Sequence, residues 1–122
     1  MPTSRLLRRM LERYLFENDN TDYLVVIIAR YYYPNEVSMI KKGICPWCLK
    51  RFKSLRAHFK HKKCGFMFKM LLDNVMRIYF DFKNSVYYRY SKKDHSSYVV
   101  LKGVVKCKSM KEALKQYLIL KV

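Results

Sequence analysis

Cys45-Pro46-Trp47-Cys48-Leu49-Lys50-Arg51-Phe52, continued by His58, His61 and Cys64, is the stretch on which the reading of this chain turns. Two cysteines separated by two residues can aim both thiolates at one tetrahedral ion from a tight turn. If a helix follows, residues three or four apart share a face, so His61 and Cys64 could reach the same ion from adjacent turns. The spacing therefore predicts a Cys3His site for one Zn²⁺ built from Cys45, Cys48, His61 and Cys64. His58 is the alternative to His61. On a regular helix, residues six apart are separated by about 9 Å of rise, so His58 and Cys64 could share an ion only if the helix unwinds between them. A site closed by four protein ligands keeps no position for water or substrate, which makes the ion a staple rather than a Lewis acid.

With its Cys45-x2-Cys48 pair, Phe52, twelve residues between Cys48 and His61, and the final Cys64, the segment 43-65 resembles the Cys2His2 zinc-finger family in its Cys2HisCys variants. The resemblance implies a β-hairpin packed on a short helix, with Phe52 in a miniature core. Two features depart from the family pattern. His58 stands where the family places a leucine three residues before its first histidine, and only two residues separate His61 from Cys64. Leu55-x2-His58 also fits the pattern, on a helix one turn shorter, with Cys64 five residues further on.

Outward from this segment, charge is the dominant feature. Lys and Arg number 26 against 9 Asp and Glu, a formal net charge of +17. Solubility of a small domain usually calls for a magnitude of only about 2 to 8, so a polyanionic partner is expected. From Lys41 to Cys64 there are nine basic residues and no acidic one. Lys50, Arg51, Lys53, Arg56, Lys60, Lys62 and Lys63 form the candidate nucleic-acid surface, since each phosphate neutralised releases condensed counterions. The finger resemblance places Ser54, Arg56, Ala57 and Lys60 at base-reading positions, of which Arg56 suits bidentate pairing with guanine. One finger reads about three base pairs. Specific recognition of double-stranded DNA would thus need a homodimer or a second basic surface, for which Arg5, Arg9, Arg13 and the last helix are candidates.

The flanking sequence predicts an α+β chain: a mainly helical small domain with an inserted ββα finger and a C-terminal β-hairpin plus helix. Region 1-42 is helical, 43-65 is the finger, and 66-122 supplies a helix, a hairpin and a last helix that pack with 1-42 as one domain. Thr3 or Ser4 caps a first helix with a stripe of Leu6, Leu7, Met10, Leu11, Tyr14 and Leu15. Thr21 or Asp22 caps a second segment, Tyr23 to Tyr33, whose length favours a helix despite its β-branched run. Pro34 to Lys42 reads as a connector. A third helix spans Phe66 to Phe82; Val86 to Tyr90 and Tyr98 to Val105 form the hairpin, with a long turn between them. Ser109 then caps a helix through Met110, Ala113, Leu114, Tyr117 and Leu118, with Lys111, Lys115 and Lys121 solvated.

The clustering of three of the four cysteines argues for a metal and a reducing, intracellular compartment over disulfides. Cys107 reads as a small hydrophobe in a strand. No secretory signal opens the chain, and the apolar run Tyr23 to Ala29 is far shorter than the roughly 18 residues that suggest a membrane span. Tyr31 to Tyr33, Tyr87, Tyr88 and Tyr90 could stack on unpaired bases, although tyrosines in such numbers are more often core. No catalytic constellation is visible: Asp94 and His95 are adjacent in a turn without a nucleophile or second carboxylate. The competing expectations are a protein-interaction module built on the finger, and a membrane-surface protein using the basic first helix. High Lys and Tyr content with a lone finger is also similar to the small basic zinc-finger proteins encoded by viruses of thermophilic archaea, presumed transcription regulators.

Overall fold

The computed structural model describes residues 3–102 and 106–120, and among them the chain is an α+β protein of six helices and one three-stranded antiparallel sheet. It divides into two compact units, Met1–Arg77 and Ile78–Val122.

In the first unit, α1 (Ser4–Phe16) starts where Thr3 Oγ1 accepts the Leu6 amide at 3.2 Å. Its buried stripe is Leu7, Leu11, Tyr14 and Leu15. That stripe is narrower than the periodicity suggested, because Leu6, at 48% exposure, falls on its flank. The helix stops at Asn18, whose φ of 56° is left-handed. Helix α2 (Leu24–Tyr32) has no side-chain cap, Tyr23 taking the position expected for Thr21 or Asp22. Val25, Val26, Ile28 and Ala29 are fully buried, so packing overrides the β preference of the branched residues.

The expected connector from Pro34 is instead helical: α3 (Pro34–Lys41) places Pro34 at its first turn, where a missing N–H costs nothing and φ is preset. Val37 and Ile40, three apart, are its buried face. Lys41 ties α3 back to α1 by donating to the Tyr14 carbonyl at 3.0 Å, with its ammonium 3.7 Å from the Tyr14 ring centroid. A single turn, α4 (Leu55–His58), precedes α5 (Lys62–Lys83), which begins one turn earlier than Phe66.

In the second unit, β1 (Val86–Ser91) pairs with β2 (Ser96–Leu101), and β2 with β3 (Lys106–Cys107). Pairing continues to Ser91 and Ser96, so the turn is tighter than expected, with His95 at a φ of 51°. The expected strand residues beyond Lys102, up to Val105, lie outside the described residues, as does Lys121. Helix α6 (Met110–Leu120) is capped as expected: Ser109 Oγ accepts the Glu112 amide at 3.2 Å, and the Glu112 carboxylate accepts the Lys108 amide at 2.8 Å. Val99, Leu101 and Cys107 are buried on the sheet side that meets α6, together with Leu114 and Leu118. Tyr87, Tyr88 and Tyr90 are 43%, 68% and 59% exposed, so they are surface residues rather than core.

Candidate metal centre

The Cys45 amide donates to the Lys50 carbonyl at 3.0 Å, and the Leu49 amide to the Cys45 carbonyl at 2.8 Å. Leu49 takes a left-handed φ of 63° to close this knuckle. The flanking chain is drawn together by the Phe52 amide bonding to the Gly43 carbonyl at 3.0 Å. The finger's expected hairpin is thereby reduced to one antiparallel bridge, Ile44 with Arg51.

Beyond the knuckle, Ser54 Oγ caps α4 by accepting the Ala57 amide at 3.2 Å. After His58 the chain tightens into i→i+3 bonds, Lys60 to Ala57 and His61 to His58, and leaves the helical path before α5 begins. That break carries Cys64, in the first turn of α5, back beside His58. Cys45, Cys48, His58 and Cys64 form one group whose ligand atoms all lie within 4.8 Å of one another, with Cys48 Sγ 3.5 Å from His58 Nε2. A tetrahedron with Zn–S bonds of about 2.3 Å has edges of roughly 3.8 Å, so small adjustments would close the group around one ion. His61 is exposed and outside the group, its ring centroid 5.9 Å from that of His58. The histidine preferred from spacing is therefore replaced by its alternative, because the spacing argument assumed one unbroken helix.

Aromatic packing orients the site. Phe52 stacks on the His58 ring at 3.8 Å, and Phe59 links the knuckle to the helices through Trp47 at 5.6 Å and Phe68 at 4.4 Å. The finger core thus merges with that of the helical unit, and Phe59 was not singled out by any family position. Electrostatics also suit a cation. The backbone amide of Lys50 lowers the Cys48 pKa, whereas burial, aided by the other two thiols, pushes Cys64 up to about 11. Burial, then the charges of His61 and Lys50, lowers the His58 pKa and keeps its imidazole neutral, as a ligand must be. Cys45, Cys48 and Cys64 are free thiols, not disulfide-bonded. The group could hold one metal ion and is consistent with a zinc site.

The basic residues of the segment, Lys50, Arg51, Lys53, Arg56, Lys60, Lys62 and Lys63, are all exposed. Two of them are engaged. Arg51 donates to the Lys42 carbonyl at 2.7 Å, and Arg56 pairs with Glu17 at 2.5 Å while lying 5.3 Å from the Phe16 ring centroid. Arg56 is therefore a tether to α1 rather than a free guanine reader. Hydrogen bonding from Arg56 lowers the Glu17 pKa, with further help from the charges of Arg13 and Arg9. Arg56 of the finger and Arg13 and Arg9 of α1 thus act on one carboxylate.

No family model, curated protein or solved structure matches this chain.

His58→Ala is expected to weaken zinc binding by more than the roughly 10- to 100-fold typical of losing an outer-sphere partner. His61→Ala should leave one zinc per chain at wild-type affinity. Competition with a chromophoric chelator separates the two, and the opposite ranking would restore His61 as the ligand.

Proposed function

We propose that the protein is a zinc-stabilised nucleic-acid-binding protein, a DNA-binding transcription regulator that grips the phosphate backbone of double-stranded DNA with its basic finger surface. Three thiols and one imidazole are a donor set suited to Zn²⁺, and with four protein ligands the ion's role is to hold the segment in shape. The observation that carries the reading is the acid-free run from Lys41 to Cys64, whose seven finger cations are all exposed on a segment drawn together by the Cys3His group. The nearby α1 stripe would extend the contact along the duplex, supplying the second surface that a lone finger needs. The tether between Arg56 and Glu17 favours backbone gripping over base reading.

Fluorescence anisotropy of a labelled duplex against the zinc-loaded protein tests this. Six untethered or partly tethered finger cations, Arg56 excluded, predict a slope of log affinity on log salt of about −5, from roughly −0.9 per phosphate neutralised. The triple substitution K60Q/K62Q/K63Q should flatten that slope by about 3 units. Zinc-loaded protein without duplex affinity, or with salt-insensitive affinity, would sink the reading.

A protein-interaction module is the second reading, and a specific observation favours it. Leu49 at the knuckle tip is 70% exposed, and Phe66, Met67 and Met70 on α5 are 62%, 38% and 51% exposed. Met67 and Met70 line a cleft with Trp47, Tyr33 and Glu36. Apolar side chains so near a metal knuckle suit a protein partner. Among the described residues, no helix is long and apolar enough to cross a membrane.

A further inference from the structure

We propose that the exposed face of the β1–β2–β3 sheet is a second nucleic-acid site, which stacks the unpaired bases of a single-stranded nucleic acid on Tyr87 and Tyr98 and holds its phosphates with Arg89 and Lys106. The inference lies within the second unit and does not rest on the metal centre or on the duplex reading above.

The pairing register defines the face. Tyr87 pairs with Val100, Arg89 with Tyr98, and Val100 with Lys106, so these five side chains project from one side of the sheet. The other side carries Val99, Leu101 and Cys107, which are buried toward α6. On the uncovered side, Tyr87 and Arg89 are exposed and Tyr98 is half-buried. Aromatic and cationic groups are interleaved there: the Arg89 guanidinium lies 4.7 Å from the Tyr87 ring centroid, and the Lys106 ammonium 4.6 Å from that of Tyr98. Tyr87 and Tyr98 are diagonal cross-strand neighbours, roughly 7–8 Å apart, a reach that adjacent nucleotides of an extended strand can cover.

Two considerations identify the occupant. Base stacking needs exposed ring faces in a positive field, and is tolerant of sequence because every base has a π-face. Between Asn84 and Lys108 the chain carries Arg89, Lys92, Lys93, Lys102, Lys106 and Lys108 against a single acid, Asp94, so an acidic strand is the complementary partner. A protein gripping duplex DNA elsewhere would thereby also engage a separated strand.

The test uses the full-length, zinc-loaded chain and labelled oligo(dT), oligo(U) and a duplex of equal length. Wild type is expected to bind both single strands. Y87A/Y98A should weaken oligo(dT) binding by about tenfold or more for each ring, leave duplex affinity within twofold, and be rescued in Y87F/Y98F, which keeps the rings. An oligo(dT) carrying 5-iodouracil, irradiated with the unsubstituted protein, should cross-link to Tyr87 or Tyr98, a readout that does not depend on the alanine variant folding. Unchanged oligo(dT) affinity in a folded Y87A/Y98A, equal losses for duplex and single strand, or cross-links confined to other residues would each overturn the proposal.

Discussion

Replacing Cys64 with serine, or stripping the metal with a chelator, is expected to unfold the segment from Gly43 to Gly65 and to cause the largest loss of stability of any single change. Regular structure contributes little to the segment, one bridge and one helical turn, beside the aromatic packing of Phe59 and the Arg56–Glu17 pair. In small zinc modules the apparent binding free energy, on the order of 10 kcal/mol at neutral pH, is largely folding free energy. Cys45 and Cys64 are both buried, so metal loss also leaves thiols without their partner inside the aromatic cluster. Trp47 is the sole tryptophan and packs edge-on against Phe59, which makes its emission a direct reporter. Chelation should shift that emission to the red and lower the melting temperature, and zinc should reverse both. An emission spectrum and melting curve indifferent to zinc and chelator would remove the metal from the account of this fold. Because Cys64 in the metal-free protein keeps its proton to about 11, binding must release it, and zinc affinity should fall as pH falls.

Gly65→Ala should produce the next largest effect. Gly65 has no need of a left-handed backbone; what it provides is space. A β-carbon there would clash with the Phe59 carbonyl oxygen and lie 3.0 Å from its carbon, both backbone atoms that cannot swing aside. The first turn of α5 must then move away from the end of α4, and these are the two pieces that bring Cys64 and His58 together. Overpacking of this kind costs about 1–3 kcal/mol, at times more, and zinc affinity should drop with it. Thermal melting with and without zinc measures both; a variant with wild-type melting temperature and zinc affinity would show that the approach of the two helices is not required.

The helices with a strong apolar stripe were legible from local pattern, as were the hairpin and the capped last helix, because periodicity and capping depend on neighbours within a few residues. Pro34 to Lys41 escaped because proline punctuates both connectors and helix starts, and only the burial of Val37 and Ile40 chooses between them. The tyrosines of β1 escaped for a related reason: strand alternation does not say which side a helix will cover. Arg56 looked like a base reader because its partner, Glu17, lies far away in sequence.

The clustered cysteines, the acid-free run of cations around them and the α+β order of elements follow from residue identity and short-range spacing, which hold in any fold the chain adopts. The choice of His58 over His61 does not. It depends on the path of the chain between two helices, on a glycine that allows their backbones to meet, and on the Phe52 ring that stacks on the imidazole. Such contacts exist only after packing, since a shift of one helical turn exchanges one histidine for the other without altering the local propensity of either residue.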